Sequence, residues 1–210
     1  MKLFKQLLII FSLLLYTINL TAKNNLEKTE SFFPDWHEII QENIDWYFLE
    51  VPENLDNPGK NIKIAVIRLK STENQSSNST VFIEGGPGGS AIGDLWRWLG
   101  HPLRKENDII LLDIRGTGFS QPELCPGLGN SFLEIFARND SPENDEKSKT
   151  ELVIKCKDEF IKKRIDLSSY NSKSIAKDLN ALKEAFNYDE WNIYGVSYGT
   201  HCYDLCQYVP

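Results

Sequence analysis

The sequence predicts an α/β fold, with a mostly parallel sheet and flanking helices. Three short, nearly continuous apolar runs carry this prediction, at residues 80–83, 108–113 and 191–194, and a glycine-containing turn follows each of them. Such runs are typical of strands that are buried on both faces of a parallel sheet. An amphipathic segment at 174–186 precedes the third run, so the order strand, turn, helix, strand indicates crossover connections.

The first residues have the layout of a secretory signal peptide. Residues 1–5 contain two lysines, residues 7–15 are apolar and uncharged, and polar residues follow near 21–25. We expect a signal peptide over 1–22 with cleavage after Ala22. The protein would then be secreted or periplasmic, with no stable membrane span after removal of the signal. The alternative is an uncleaved N-terminal anchor.

The next part of the chain contains a predicted leader and two predicted strands. Residues 23–44 form the leader, which is polar and predicted to be flexible over 23–34. The strands cover 45–51 and 61–70, and a turn rich in Pro, Asn, Asp and Gly joins them at 52–60. We expect an antiparallel, hairpin-like pair at a sheet edge. The residues of the second strand predicted to face the core are Ile62, Ile64, Val66 and Leu69.

The helix at 174–186 is predicted from a single apolar face. Four apolar side chains recur at spacings of four, three and four residues, namely Ile175, Leu179, Leu182 and Phe186. Asn187 can adopt the left-handed conformation that ends a helix. Residues 121–170 interrupt the alternation of strands and helices, with an acidic, polar stretch at 139–149 and a helical pattern at 152–165. We predict that 121–170 is an excursion over the rim of the sheet.

Charge and cysteine content exclude several classes of function. The net charge is −7 and no stretch concentrates Lys and Arg, so we expect no nucleic-acid partner. The four cysteines lack the spacing of a metal site, and we expect no metal and no cofactor. Cys125 and Cys156 can form a disulfide in an oxidising compartment, or they can be two buried thiols. Cys202 and Cys206, four residues apart on a predicted helix, are predicted to be packing residues.

The candidate nucleophile is Ser197, at the centre of Gly-Val-Ser-Tyr-Gly at 195–199. A predicted strand precedes this G-x-S-x-G pattern and a helical pattern follows, as a nucleophile elbow requires. Glycines avoid collisions where the chain reverses sharply, and the turn exposes the Ser hydroxyl at the carboxyl end of the sheet. The N–H of Tyr198 would then point toward a developing oxyanion. The alternative is a structural Ser in a glycine-rich turn.

The glycine-rich loop after the first buried strand is the candidate source of a second oxyanion donor. It reads Glu-Gly-Gly-Pro-Gly-Gly-Ser at 84–90, and glycine lets the backbone approach a ligand closely. Pro87 has no N–H, so Gly86 is the first candidate and Gly85 the second. The alternative, a phosphate-binding loop, is disfavoured because the Lys-Ser/Thr ending of a P-loop is missing.

The turn after the second buried strand reads Asp-Ile-Arg-Gly-Thr-Gly at 113–118. An Asp and an Arg two residues apart at a buried strand end can pair and fix a turn. Asp113, Arg115, Gly116 and Gly118 are therefore predicted to be structural and not catalytic.

Three motifs, in this order, resemble those of the prolyl/tripeptidyl aminopeptidase family of α/β-hydrolases. They are Gly-Gly-Pro-Gly-Gly-Ser at 85–90, Asp-Ile-Arg-Gly-Thr-Gly-Phe-Ser at 113–120 and Tyr-Gly-Val-Ser-Tyr-Gly-Thr at 194–200. Further similarities lie at 51–54, around Cys125 and at 166–171, so the resemblance covers residues 45–210.

The resemblance implies an α/β-hydrolase fold in which Ser197 is the nucleophile. It also implies oxyanion donors at Gly85 or Gly86 and at Tyr198, and the release of N-terminal residues or short peptides. A disulfide between Cys125 and Cys156 resembles one that is common in secreted members. Glu84 departs from the family pattern, because many members have His or an uncharged residue at this position.

In α/β-hydrolases the acid and the His of the catalytic triad follow the nucleophile along the chain. Only thirteen residues follow Ser197 here. They include His201 and Asp204, on a helix that is expected to carry their side chains away from the Ser hydroxyl. His37 and His101 precede Ser197, and His101, which follows the glycine-rich loop, is predicted to be a surface residue that could line the mouth of the site. We therefore expect residues 45–210 to be the N-terminal part of the domain, truncated after the elbow helix and inactive alone.

The predicted function is that of a serine peptidase that releases N-terminal residues or short peptides through an acyl-enzyme on Ser197. The expected partner is a peptide or a small acyl substrate. The first alternative is an esterase-type hydrolase, which would share every motif named above. The second is a non-catalytic remnant.

Overall fold

The computed structural model describes residues 25–73 and 78–206, in which six strands form one sheet. The strands are β1 (Leu26–Lys28), β2 (Ile44–Pro52), β3 (Asn61–Leu69), β4 (Ser79–Ile83), β5 (Asp108–Leu112) and β6 (Asn192–Gly195). Their order across the sheet is β1-β2-β3-β5-β4-β6. The predicted signal peptide, 1–22, lies outside the described residues.

The sheet is mixed, and its parallel part leads to the candidate site. Antiparallel pairing joins β1 to β2, β2 to β3 and β3 to β5. β4 lies parallel to β5 on one side and to β6 on the other. The predictions of strands at 80–83, 108–113 and 191–194 are confirmed, and so is the antiparallel pairing of 45–51 with 61–70. The carboxyl ends of β4, β5 and β6 lie at the same edge of the sheet, because parallel strands run in one direction.

The pair β2 and β3 does not form the sheet edge that the sequence predicts. β1 pairs along the outer side of β2, and β5 pairs along the far side of β3. β3 is therefore an interior strand, and it is buried on both faces. Ile62, Ile64 and Val66 face one core cluster, while Ala65, Ile67 and Leu69 face the other. Leu69 thus packs on the opposite face from the three residues with which it was grouped.

The segment predicted to be a flexible leader, 23–34, is ordered on the sheet in its described part, so the prediction of flexibility is wrong there. Leu26–Lys28 is a short strand whose residues pair with Tyr47, Phe48 and Leu49 of β2. The ring of Phe32 stacks on Phe119 at a centroid distance of 5.2 Å, and Phe33 meets Phe119 edge to face, also at 5.2 Å. Burial of aromatic surface fixes this segment on the sheet although its composition is mostly polar.

Five α-helices occur in the described residues. They are α1 (Trp96–Leu99), α2 (Leu128–Ala137), α3 (Pro142–Lys162), α4 (Ser172–Ala185) and α5 (Tyr198–Cys206). Three 3-10 helices cover His37–Gln41, Pro102–Lys105 and Leu167–Ser169. None of the described helices is long and apolar enough to cross a membrane.

The sheet packs between two layers. On one face, Ile175, Leu179 and Leu182 of α4 contact the core cluster of β2 and β3, which also includes Cys202 of α5. On the other face, Ile92, Leu95 and Trp98 contact Ala65, Ile67 and Phe82. The helix prediction at 174–186 is confirmed, and Asn187 has the predicted left-handed φ of 57°. Cys202 is a buried packing residue, as expected.

The excursion over 121–170 consists mainly of α2 and α3, and a disulfide ties α3 to the segment that follows the β5 turn. The sulfurs of Cys125 and Cys156 are bonded, with their Cα atoms 5.7 Å apart. Phe160 and Ile165 pack around this disulfide. The polar stretch at 139–149 is helical from Pro142 onward, because Ser141 caps the helix and accepts a hydrogen bond from the N–H of Asn144. The sequence prediction recognised only the second half of α3 and missed α2.

Candidate active site

Ser197 lies at the sharp turn between β6 and α5. Its φ is +51°, in the left-handed region that residues with a Cβ rarely adopt. Strain of this kind persists only where the surrounding structure enforces it, and it is concentrated at functional sites. The strand-to-helix context that the sequence predicts for Ser197 is therefore present in the structure.

Crowding at the turn explains the two glycines that flank Ser197. A Cβ at Gly195 would lie 2.6 Å from the carbonyl carbon and oxygen of Gly199. A Cβ at Gly199 would overlap the carbonyl oxygen of Ile83 at the end of β4. Backbone atoms in a sheet and a helix cannot move aside, so a larger residue at either position would force the turn open.

The glycine-rich loop after β4 lies directly against Ser197. A Cβ at Gly85 would be 3.0 Å from the Cβ of Ser197 and 3.5 Å from its Oγ. The loop is held by a hydrogen bond of 3.2 Å from the N–H of Gly89 to the carbonyl of Gly85. The structure thus brings the 85–90 loop and Ser197 together, which the sequence prediction requires of an oxyanion loop.

Glu84 distinguishes between the two candidate donors of this loop. Its Oε1 accepts a hydrogen bond of 2.8 Å from the N–H of Gly85, so this N–H is already engaged. For the N–H groups of Gly86 and Tyr198, no acceptor occurs in the described part of the chain. Both amides are therefore candidate oxyanion donors, and Gly86 is the better candidate of the two in the loop. The sequence shows Glu84 as a departure from the family pattern but does not indicate this hydrogen bond.

Asp113 organises the turn beside the site, but it does not pair with Arg115 as predicted. The Asp113 carboxylate accepts hydrogen bonds from Ser90 Oγ at 2.9 Å, from the N–H of Ile92 at 3.1 Å and from the N–H of Phe119 at 2.9 Å. Burial raises the pKa of Asp113, and these hydrogen bonds act in the opposite direction. Asp113 thus ties the end of the glycine-rich loop to the turn that follows β5.

The partner of Arg115 is Asp178 of α4, which the sequence analysis did not select. Two hydrogen bonds, of 2.8 and 2.7 Å, run from the guanidinium to the Asp178 carboxylate. Nη1 also donates to the carbonyls of Glu53 and Ser169, each at 2.8 Å. The two charged side chains are almost wholly buried. Burial raises the pKa of Asp178, and the Arg115 guanidinium opposes that rise.

Gly116 and Gly118 shape the same turn, with φ values of 84° and 51°. A Cβ at Gly118 would overlap the carboxylate of Asp113. The four residues of this turn that the sequence marks as structural therefore do lie in buried or tightly packed backbone. Two separate hydrogen-bond networks stabilise this turn, one around Asp113 and one around Arg115.

A general base for Ser197 is not found among the described side chains. No His, Asp or Glu side chain described in residues 25–73 and 78–202 makes a hydrogen bond with Ser197 Oγ. His101 packs on the Trp98 ring at 4.6 Å and accepts a hydrogen bond from the N–H of Leu103. His201 lies along α5, with its ring 6.2 Å from that of Tyr198. The side chain of Asp204 lies outside the described part.

The described residues also contain no group of three or more His, Cys, Asp or Glu side chains arranged to hold a metal ion. Arg115 is fully engaged by its protein partners, and the Gly86 and Tyr198 amides are neutral donors. The chemistry that this arrangement can support is attack by an exposed hydroxyl, with backbone stabilisation of the oxyanion.

The model of one protein family matches this chain. It describes the alpha/beta hydrolase fold and matches residues 81–202, more than half of the sequence. The chain belongs to the alpha/beta hydrolase fold family. The fold class predicted from the sequence is thereby confirmed. The matched region runs from β4 to α5 and includes the glycine-rich loop at 84–90, the Asp113 turn and Ser197.

The solved structures that match this chain are much longer than it is. A mutant of the Vigna radiata epoxide hydrolase is 17% identical with a TM-score of 0.43, and the match covers 78% of this chain and 35% of that one. The proline iminopeptidase-related protein of Thermus thermophilus is 14% identical with a TM-score of 0.41, and the match covers 77% and 40% respectively. No curated protein matches the sequence.

Proposed function

We propose that this alpha/beta hydrolase is a serine hydrolase with Ser197 as its nucleophile. The observation that carries the proposal is the left-handed φ of Ser197 at the elbow, with the oxyanion loop packed against its side chain. A strained residue is retained where its orientation is needed, and here the strained residue carries an exposed hydroxyl beside the glycine-rich loop.

The reaction would proceed through an acyl-enzyme. Ser197 Oγ attacks the carbonyl carbon of the substrate, and its proton passes to a general base. The carbonyl oxygen becomes an oxyanion, which the N–H groups of Gly86 and Tyr198 stabilise. The C–N or C–O bond then breaks, the leaving group takes the proton, and water hydrolyses the ester on Ser197. In this proposal the base lies outside residues 25–73 and 78–206.

We further propose that the substrate is a peptide with a free amino terminus. Support comes from the three spaced motifs at 85–90, 113–120 and 194–200, which resemble those of the prolyl/tripeptidyl aminopeptidases. Because these motifs build the proposed nucleophile and oxyanion site, an esterase-type hydrolase would share them. The rates on peptide and ester substrates distinguish the two functions.

The experiment uses the product of the complete reading frame and three substrates. These are a peptide anilide with a free amino terminus, the same anilide with an acetylated terminus, and a p-nitrophenyl ester. We expect kcat/KM for the free peptide to exceed that for the acetylated one at least tenfold. Ser197→Ala should lower this rate by roughly 10³-fold or more, whereas Ser168→Ala, at an exposed serine, should leave it unchanged. Hydrolysis of the ester alone would favour the esterase alternative.

Export is a separate proposal. It rests on the composition of residues 1–22 and on the Cys125–Cys156 disulfide, a bond that persists in oxidising compartments. N-terminal sequencing of the protein from its natural source should give a chain that starts at residue 23. A chain that keeps Met1 would contradict cleavage.

A further inference from the structure

A cavity of about 560 Å³ lies between the candidate active site and the excursion. Pro87 and Gly88 of the oxyanion loop form one side of it, together with Tyr198, the residue after the nucleophile. Leu128 and Phe132 of α2 form the opposite side. The cavity thus lies beside the glycine-rich loop and beside the residue that follows Ser197.

The chemistry of the lining is apolar. The apolar side chains in the lining are Pro87, Ile114, Leu124, Leu128, Phe132 and Ile175. The long polar side chains in the lining are already engaged within the protein. Arg115 is bonded to Asp178, Tyr170 donates to Glu53 at 2.9 Å, and the hydroxyl of Tyr198 is 2.7 Å from Ser172 Oγ. The one charged side chain in this described lining, Arg115, is therefore neutralised by Asp178, whereas an apolar group would gain by leaving water.

We infer that this cavity binds a large, neutral apolar side chain of the substrate, next to the bond that Ser197 attacks. The inference rests on the proposed function, since it assigns a subsite of the same active site. Ligand pockets of roughly 300–1,000 Å³ hold groups of several rings or branches, so this cavity is far larger than a methyl side chain needs.

The excursion supplies the wall that selects the ligand. Phe132 lies on α2, and the disulfide that joins Cys125 to Cys156 of α3 fixes the chain just before this helix. Leu124 belongs both to the cavity lining and to the cluster packed around the disulfide. Phe132 is therefore a specificity-determining residue in this account, and the disulfide holds its helix in place.

The test measures binding and not turnover, so that its outcome does not depend on whether Ser197 reacts. N-acetylphenylalanine amide is titrated into the protein and followed by NMR, with N-acetylglycine amide as the small counterpart. A ligand of this size is expected to bind with a Kd on the order of 1 mM. Phe132→Asp places a charge in the cavity wall. Leu133→Asp is the matched control, because the neighbouring Leu133 is 66% exposed and does not line the cavity.

We expect Phe132→Asp to weaken binding of the phenylalanine derivative at least tenfold and Leu133→Asp to change it less than twofold. The glycine derivative should bind at least tenfold more weakly than the phenylalanine derivative. If Phe132→Asp unfolds, Gly129→Leu replaces it, because no atom lies within 4 Å of the new Cβ, and the same tenfold loss is expected. Equal effects of Phe132→Asp and Leu133→Asp, or equal binding of the two ligands, would overturn the inference. Labelling of Ser197 without such binding would leave the proposed function intact and remove only the subsite.

Discussion

The guanidinium of Arg115 and the carboxylate of Asp178 form a two-bonded, buried pair that joins the turn after β5 to α4. Sixty-three residues separate the two partners along the chain. The orientation of the guanidinium is fixed further, because Nη1 donates to the carbonyls of Glu53 and Ser169. The pair therefore fixes one side of the cavity next to the active site.

Removal of one member of this pair should destabilise the fold. Asp178→Ala leaves the Arg115 charge buried without its carboxylate, and we expect the free energy of unfolding to fall by about 3–5 kcal/mol. Asp94→Ala removes the exposed ion pair with Arg97 and should cost less than about 1 kcal/mol. Urea denaturation of the two variants measures both values. Similar losses in the two would contradict a structural role for the buried pair.

Packing at the elbow predicts that substitution by alanine destabilises the fold far more at Gly199 than at Gly59. Gly199→Ala forces a Cβ into the backbone of Ile83 and should lower the free energy of unfolding by about 1–3 kcal/mol or more. At Gly59, nothing lies within 4 Å of the added Cβ, and Gly59→Ala should stay within about 1 kcal/mol of the wild type. Thermal denaturation tests the pair, and a Gly199→Ala protein as stable as Gly59→Ala would show that the elbow is less crowded.

The disulfide should contribute strongly to the stability of the excursion. It spans 31 residues, and a loop of this length is expected to contribute about 3–4 kcal/mol by restricting the unfolded chain. Replacing both Cys125 and Cys156 by Ser should lower the unfolding midpoint accordingly. Dithiothreitol should lower the midpoint of the wild type and leave that of the double variant unchanged. If dithiothreitol lowers the midpoint equally in the wild type and in the double variant, the disulfide is not the source of the stability.

The ion pairs that Asp45 makes with Lys28, Arg68 and Lys70 predict that the stability of the fold depends on pH. Burial acts to raise the pKa of Asp45, but hydrogen bonds from Arg68 and Lys28 and the nearby charge of Lys70 outweigh it and lower the pKa to about 2. Between this value and the ordinary value of 3.8, the unfolded chain binds a proton that the folded chain does not. The contribution of Asp45 is therefore present above about pH 4 and is lost as the pH falls toward 2.

Urea unfolding of the wild type and of Asp45→Asn from about pH 2 to 5 measures this contribution. The difference in the free energy of unfolding between the two proteins should increase with pH and reach about 1 kcal/mol. It stays this small because solvent partly screens the Asp45 carboxylate. A difference that stays constant over this range would exclude a lowered pKa at Asp45.

The elements that carry the site could be predicted because their signals are local. The apolar runs of β4, β5 and β6 and the helical periodicity of α4 each occupy fewer than fifteen consecutive residues. Ser197 and the glycine-rich loop were likewise recognisable from short motifs in context. Their proximity to each other in the fold follows from the parallel pairing of β4 with β6.

The networks behind the site could not be predicted in the same way, because their partners are distant in sequence. Asp113 and Arg115 are near neighbours, yet each is bound by a different part of the fold. Asp178 did carry a signal, since a carboxylate next to Leu179 and three residues after Ile175 lies on the apolar face of α4. A charge in that position requires a buried partner. The adjacent Phe32 and Phe33 similarly indicated that part of the polar leader packs on the sheet.

The most direct test of the central claim is covalent labelling of the nucleophile. The product of the complete reading frame is treated with a fluorophosphonate probe, digested, and mapped by mass spectrometry, with Ser197→Ala and Ser168→Ala treated in parallel. Our account predicts a single modified peptide that carries the probe on Ser197, unchanged in Ser168→Ala and absent in Ser197→Ala. A folded wild-type protein that takes up no probe, or that carries it on another serine, would contradict the assignment of Ser197 as the nucleophile.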